Sequence, residues 1–155
     1  MATTNQTKRQ TQNADAETES DGITTHVLEF SLGENRYCVD IGYVAEIVNT
    51  EELTPVPNTP DHIEGVMDLR GETTKIVNLR MIFGDEDPSL GSRIIVFKRK
   101  RGSDERIGWL ADEVHQVEEI NTNEVDTSVE GEGIAGVIRR DDEFVLWINP
   151  TDVRV

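Results

Sequence analysis

The sequence predicts an all-β protein, and its apolar pattern is the reason. Apolar residues fall into short runs, several of them at period two, and Gly- or Pro-containing turns separate the runs. About nine or ten such runs occur, spaced roughly ten to fifteen residues apart, as in a β-barrel or sandwich. The hairpins fall into two groups, before and after the polar loop 84–92, so two small barrels packed together are expected.

The N-terminal segment differs from the rest of the chain. Residues 1–22 are polar and acidic with almost no apolar side chains, so a disordered tail is expected there. The folded domain is then expected to span residues 23–155. Because the tail contains no apolar stretch, neither a signal peptide nor a membrane span is predicted, and a cytoplasmic location is expected.

The first half of the domain is predicted to contain two hairpins. The first turns on the Gly-Glu-Asn that begins at Gly33. Asp40 is then a candidate N-cap for a short helical turn, and a strand is expected over 46–49. The second hairpin lies within 60–81 and turns at Gly71, since glycine readily adopts positive φ.

The second half follows the same plan. A short helical turn at 79–83 leads through the polar loop to a long hairpin with a charged tip over 98–105. A strand over 113–120 should point Val114 and Val117 inward. The remaining expected elements are a loop over 121–133, a hairpin turning at Asp141-Asp142, and a turn or short helix at 149–152.

Charge is the strongest compositional signal. The chain has 31 acidic and 15 basic residues, a net charge of −16, which disfavours binding to nucleic acid or anionic lipid. Arginine outnumbers lysine eleven to four. This pattern favours a protein from a cytoplasm with molar salt, where the Debye length of about 3 Å removes most self-repulsion. An ordinary acidic protein is the alternative.

No motif for catalysis, metal binding or cofactor binding has its full context. Gly131–Gly136 matches G-x-G-x-x-G, but a polar loop precedes it and a strand pattern follows, so a flexible loop is favoured over a dinucleotide site. Asp85 begins a calcium-loop pattern, but Leu90 and Val96 replace the required Gly and Glu, which leaves at most a weak cation site.

The histidines and the cysteine are also expected to be structural. His26, His62 and His115 are scattered, and each is expected to be exposed or half-buried rather than a ligand. Cys38, the only cysteine, lies in an apolar run and should be a buried, inert thiol. No nucleophile–base signature is visible, although a dispersed site in an enzyme stays open.

Several residues instead favour a docking surface. Arg70 should lie at a hairpin tip beside Gly71, where its guanidinium is either a solvated charge or a contact for a partner. Glu46 and Val44 fall at an earlier corner that can reach solvent. Isolated glycines in strand patterns mark bulges or close approach of another backbone, and they are Gly65, Gly108 and Gly136.

Residues 23–153 resemble the CheW-type coupling proteins of chemotaxis. No single motif is specific, but their order and spacing are. The matching segments are Gly42–Ile47, Leu53–Pro57, Pro60–Gly65, Leu69-Arg70-Gly71, Ile76–Arg80, Ile107–Asp112 and Ile134–Val137.

The resemblance implies two SH3-like five-stranded barrels on a shared core, with short helical turns, no catalysis and no cofactor. It also implies two partners, methyl-accepting chemoreceptors and the regulatory domain of the histidine kinase CheA, at receptor arrays on the membrane. The residues it assigns to partner binding are Val44, Glu46, Gly65, Arg70, Gly71, Gly108 and Gly136.

The chain departs from the family pattern at a few positions. Asp68 stands where the family has Asn, which adds a charge beside the expected docking surface; the other departures are at Thr74-Lys75 and Ala111. From the residues alone, a regulatory or nucleic-acid-binding β-barrel unrelated to chemotaxis is the alternative, although few aromatics and the negative charge disfavour nucleic acid.

Overall fold

A computed structural model describes residues 22–85, 91–129 and 131–153. Most of the predicted tail and part of the loop predicted over 84–92 lie outside the described residues. The described residues confirm the all-β prediction. Their strands are β1 (Thr24–Leu32), β2 (Asn35–Asp40), β3 (Val44–Asn49), β4 (Ile63–Leu69), β5 (Glu72–Val77), β6 (Arg93–Phe97), β7 (Ile107–Ala111), β8 (Glu113–Asn121), β9 (Val125–Asp126), β10 (Ile134–Arg140) and β11 (Glu143–Ile148).

Short helical segments connect some of these strands. The helix α1 spans Leu79–Phe83, as predicted; Asn78 caps its start and Gly84 ends it in the left-handed region. The 3₁₀ turns are Ile41–Tyr43, Thr122–Glu124 and Pro150–Asp152. The first of them is capped by Asp40, whose Oδ1 accepts a hydrogen bond from the Gly42 N–H at 2.8 Å, which confirms the predicted cap.

The strands form two sheets. The first has the order β8-β1-β2-β11-β10-β9 and the second the order β3-β6-β7-β5-β4. Each sheet contains one parallel pair, β11 with β2 and β5 with β7, while the other pairs are antiparallel. Together the sheets form two SH3-like barrels, in agreement with the predicted fold class.

The predicted division of the hairpins at loop 84–92 is wrong. The second sheet is built from one continuous stretch, residues 44–111, inserted between β2 and β8 of the first sheet. In chain order, segment 84–92 therefore falls between β5 and β6 of the same sheet rather than between the two barrels. The error arises because β2 pairs in parallel with β11, a non-local contact that local sequence patterns do not encode.

Three apolar clusters form the core, and one of them joins the two sheets. The largest lies between them and contains Phe30 from β1 and Trp109 from β7, whose ring centroids are 6.2 Å apart. A second cluster fills the barrel around Leu110, and a third fills the other barrel around Cys38. Because successive side chains of a strand point to opposite faces, β1 and β2 are buried on both sides.

Three local expectations need correction. The expectation that Val117 points inward together with Val114 is wrong, since Val117 is 48% exposed. The two positions are three residues apart, and period two places such residues on opposite faces of a regular strand. His62 was expected to be exposed or half-buried, but it is buried. The loop expected over 121–133 contains the 3₁₀ turn and the short strand β9.

Candidate functional site

The tip of the β4–β5 hairpin presents Arg70 to solvent. Leu69 pairs with Glu72, so Arg70 and Gly71 form a two-residue turn in which both have positive φ, 52° and 83°. A type I′ turn requires positive φ at both central residues, and the twist of its backbone matches that of the flanking strands. The guanidinium-bearing side chain is 65% exposed, so the sequence prediction of an arginine at an exposed hairpin tip is confirmed.

Asp68 stabilises this turn. Its Oδ1 accepts a hydrogen bond from the Gly71 N–H at 2.8 Å. A carboxylate oxygen can accept this bond as the amide oxygen of Asn would. The departure from the family pattern at this position therefore keeps an acceptor for the turn while adding a negative charge beside Arg70.

Glu46 on β3 forms ion pairs with two arginines. Its Oε2 accepts hydrogen bonds from Nη2 of Arg70 and from Nη2 of Arg106, the latter at 3.0 Å. Only 26% of the Glu46 side chain is exposed, and 13% of that of Arg106. Arg106 is the more buried of the two arginines, so Glu46 has a second, less exposed partner besides Arg70.

The ion pairs continue across the sheet. Arg106 Nη1 lies 3.3 Å from Glu72 Oε2, and Arg99 contacts Glu72 Oε1. These five residues, Glu46, Arg70, Glu72, Arg99 and Arg106, are called the charged network below. With three arginines and two glutamates it carries a net charge of +1, opposite in sign to the chain as a whole.

Sequence reasoning singled out only two members of the charged network. It missed Glu72, Arg99 and Arg106, because the parallel pairing of Lys75 with Ile107 brings them together. That pairing joins strands that α1 and β6 separate in the chain. The only local signal was Arg106, a basic residue directly before the apolar run that begins at Ile107.

The three strand glycines are buried where neighbouring atoms leave no room for a side chain. A Cβ on Gly65 would lie 2.3 Å from the Thr54 carbonyl oxygen. A Cβ on Gly108 would lie 2.6 Å from a methyl group of Ile94, and one on Gly136 would lie 2.3 Å from a methyl group of Val125. These positions therefore have a packing reason to be glycine.

The structure gathers most, but not all, of the predicted site residues into one sheet. Val44, Glu46, Gly65, Arg70, Gly71 and Gly108 belong to the second sheet or its turn, whereas Gly136 lies on β10 of the first. Val44 is half-buried and packs against the core cluster between the sheets. Nothing lies within 4 Å of the point that a Cβ on Gly71 would occupy, so the tip is open.

An apolar groove of about 310 Å³ adjoins the charged network. Its walls are the 3₁₀ turn at Gly42 and Tyr43, the β6–β7 hairpin and the C-terminal turn at Pro150. Phe97 and Trp109 line it and pack edge-to-face, with centroids 4.4 Å apart. Arg99 also lines this groove, so one side chain joins the groove to the charged network.

The other candidate sites acquire no supporting geometry in the described part of the chain. Gly131–Gly136 leads from a loop into β10, with no helix to meet a pyrophosphate. No metal-binding group of three His, Cys, Asp or Glu residues is found among the described residues. Asp87 and Ser89 of the weak cation pattern lie outside those residues. Cys38 is fully buried, and burial raises the pKa of its thiol to about 12, as expected of an inert cysteine.

Within the described ranges, no helix has the length and apolar character to cross a membrane.

Comparisons with known proteins agree with this architecture. A family profile described as the CheW-like domain matches residues 26–154. The chemotaxis protein CheW of Thermotoga maritima is 28% identical over 127 residues, 79% of this chain and 83% of the relative. That of Treponema pallidum is 30% identical over 138 residues, 79% of this chain and 78% of the relative.

A solved structure is also similar. The crystal structure of the scaffolding protein TtCheW from Thermoanaerobacter tengcongensis gives a TM-score of 0.71 at 30% identity, covering 82% of this chain and 90% of that one. Both the family profile and this structural match span the two barrels. The chain therefore belongs to the CheW family.

Proposed function

We propose that this protein is a non-catalytic chemotaxis scaffold that couples methyl-accepting chemoreceptors to the regulatory domain of the histidine kinase CheA. Membership of the CheW family supports the class of function. The observation that carries the proposal is the exposed Arg70 at a hairpin tip, in a charged network that reaches an apolar groove through Arg99. A basic group beside an open apolar surface is suited to binding another protein.

The proposed partner surface consists of the residues predicted from the sequence. Arg70 and Gly71 supply the exposed tip, Glu46 on β3 is paired with Arg70, and Val44 lies two residues earlier on the same strand. We assign Gly65, Gly108 and Gly136 to the same surface through the backbone shape that they permit. Since all three are buried, they act by setting the positions of neighbouring groups.

Glu46 lowers the energetic cost of using Arg70 as a partner contact. Because Arg106 also binds Glu46, the Arg70 side chain can leave Glu46 and pair with a partner carboxylate, and Glu46 still keeps one arginine. An uncompensated, partly buried charge would otherwise oppose binding. Arg70 can therefore bind a partner without the penalty of an unpaired Glu46.

Coupling itself requires only binding. A rigid β-scaffold that holds a receptor and a kinase at once raises their effective concentration for each other, and a change in the receptor can then shift the kinase equilibrium. We propose that the protein acts in the cytoplasm at receptor arrays, and that it comes from a halophilic archaeon. The net charge of −16 and the scarcity of lysine support that origin.

The test is reconstitution of a ternary complex. Receptor-containing membranes, CheA and the protein are combined at high salt, and co-sedimentation of CheA is measured together with its autophosphorylation. Arg70→Ala should weaken partner binding by roughly 1–3 kcal/mol while the domain stays folded. Arg93→Ala is the matched control, since Arg93 is an exposed arginine on β6 that does not line the groove.

Two outcomes would count against the proposal. If the wild-type protein does not bring CheA to receptor membranes, the coupling function is wrong. If Arg70→Ala couples as well as Arg93→Ala, Arg70 is not a main contact.

A further inference from the structure

The chain returns from the second barrel to the first at Asp112. Strand β7 ends at Ala111 and β8 begins at Glu113, so Asp112 is the one residue between them. The earlier crossing, from β2 to β3, is the 3₁₀ turn Ile41–Tyr43. Because both crossings are short, the contacts at each of them bear directly on how the two barrels are oriented.

Asp112 is hydrogen-bonded to both barrels. Its N–H donates to the Ser31 carbonyl of β1 at 3.0 Å, and its own carbonyl accepts from the hydroxyl of Ser92, just before β6, at 3.1 Å. The side chain repeats this pattern. Its Oδ2 accepts from the Gly33 N–H, in the β1–β2 turn, at 2.5 Å and from Nη2 of Arg80 on α1. Backbone and side chain of Asp112 therefore each connect the first barrel to the second.

Arg80 is the buried partner in this contact. Its side chain is only 3% exposed, and a guanidinium keeps its charge in a protein, so it needs partners when buried. While Nη2 binds Asp112, Nη1 lies 3.2 Å from Oδ2 of Asp85, which follows α1 in the stretch that forms the second barrel. One arginine thus holds a carboxylate of its own barrel and a carboxylate at the crossing to the other.

The apolar contacts between the barrels do not fix their angle by themselves. They are extensive and include Tyr37 of β2 stacked on Phe83 of α1, with ring centroids 5.4 Å apart. Hydrophobic burial is non-directional, whereas a hydrogen bond requires a narrow range of distance and angle. The bonds of Asp112 and Arg80 therefore add a directional contact to an interface that is otherwise largely apolar.

The angle between the barrels matters for the proposed partner surface. Arg70 and most of the other assigned residues belong to the second sheet, whereas Gly136 lies on β10 of the first. A surface that is divided between two bodies is complete only in one relative orientation. The apparent affinity for a partner falls in proportion to the fraction of molecules in that orientation.

We propose that Asp112 and Arg80 are positioning residues of the scaffold: their ion pair sets the angle between the two barrels, and with it the spacing of the contacts that each barrel offers to partners. The statement about partners rests on the proposed function, whereas the statement about the angle does not. Since Arg80 is buried, it acts through the barrel orientation rather than by touching a partner.

Two matched variants separate positioning from general stability. Asp112→Asn removes the charge that faces Arg80 but keeps an oxygen that accepts from the Gly33 N–H. Asp85→Asn removes the other carboxylate, which is equally exposed (30% against 29% for Asp112) but belongs to the same barrel as Arg80. A purely stabilising role would make the two variants behave alike.

Residual dipolar couplings measure the angle directly. Isotope-labelled protein is aligned at high salt in a stretched polyacrylamide gel, and an alignment tensor is fitted to each barrel. The wild type and Asp85→Asn should fit one common tensor, whereas Asp112→Asn should require two. If circular dichroism shows that Asp112→Asn is unfolded, Arg80→Lys replaces it, because one ammonium cannot hold both carboxylates as the two Nη groups do.

The coupling assay gives the second measurement. Co-sedimentation of CheA with receptor membranes should need about three- to tenfold more Asp112→Asn protein than wild type, the range expected when one partly exposed charged hydrogen bond no longer favours the competent orientation. Asp85→Asn should match the wild type.

Three results would overturn the proposal: a common tensor for Asp112→Asn, an equal separation of tensors in Asp85→Asn, or separated tensors with unchanged coupling. Failure of the proposed function looks different. In that case the wild-type protein itself does not couple receptor to kinase, and the dipolar couplings still decide whether the ion pair sets the angle.

Discussion

Replacing Gly65 with alanine should unfold the second barrel locally, and the geometry around Gly65 sets the loss in the free energy of unfolding. Gly65 has φ 144°, and its missing Cβ would lie 2.3 Å from the Thr54 oxygen and 2.8 Å from the Thr54 carbonyl carbon. Both atoms belong to backbone, so no side-chain rotation can relieve the overlap. Thr54 is also the residue that bridges to Val66.

Two contributions add to this cost. Alanine at such a φ is strained by about 1–3 kcal/mol. Moving the Thr54 backbone away would also weaken two hydrogen bonds with Val66, both 2.9 Å long and worth roughly 0.5–1.5 kcal/mol each. Together these give a loss of about 2–6 kcal/mol in the free energy of unfolding, a large part of the stability of a typical domain.

Gly71→Ala is the matched control. Gly71 also has positive φ, 83°, but no atom lies within 4 Å of the point where the alanine Cβ would stand. Only the strain of about 1–2 kcal/mol should therefore remain. Urea unfolding followed by tryptophan fluorescence measures both variants at constant salt. Equal losses in the two variants, or a Gly65→Ala protein as stable as the wild type, would refute the reasoning.

Three further predictions use other parts of the molecule. Glu46→Gln removes the charge shared by Arg70 and Arg106 and should lower the free energy of unfolding by about 1–2 kcal/mol. The control Glu105→Gln should lower it by less than about 0.5 kcal/mol. Urea unfolding measures both variants, and equal losses would contradict the stabilising role of the shared ion pair. The pKa of Cys38 is raised by burial to about 12, above its value in the unfolded chain, so its contribution to stability is full below about pH 9 and is lost as pH rises towards 12. Urea midpoints between pH 8 and 10.5 should fall more steeply for the wild type than for Cys38→Ala, and parallel curves would rule this out. Finally, the melting temperature should rise from dilute buffer to molar KCl, because salt screens a net charge of −16; calorimetry showing no change would reject adaptation to salt.

Local chemistry explains which features the sequence predicts. The turn at Arg70-Gly71 follows from a glycine between two apolar runs, and the helix at 79–83 follows from its ending at Gly84. In each case the determining residues are neighbours in the chain. The expectation that Val117 points inward failed because it did not follow the period of two: Val114 and Val117 are three residues apart, and a regular strand would point them to opposite faces.

Non-local pairing explains what the sequence does not reveal. Glu46 could be placed at an exposed corner, but its bond to Arg106 depends on how β3, β6 and β7 assemble. The groove likewise needs the C-terminal turn at Pro150 to approach Tyr43, more than a hundred positions earlier. Contacts of this kind are set by the fold and are absent from any local window.

The insertion of one barrel within the other has a consequence for synthesis on the ribosome. Residues 44–111 can pair their strands as soon as they emerge, because all five strands of that sheet lie in this stretch. The β1–β2 hairpin, made first, must wait for β8 and β11 while its two apolar faces stay uncovered. The order of folding therefore differs from the order of synthesis: the second sheet can form first, whereas the β1–β2 hairpin, although synthesised earlier, gains its neighbours only after β8 and β11.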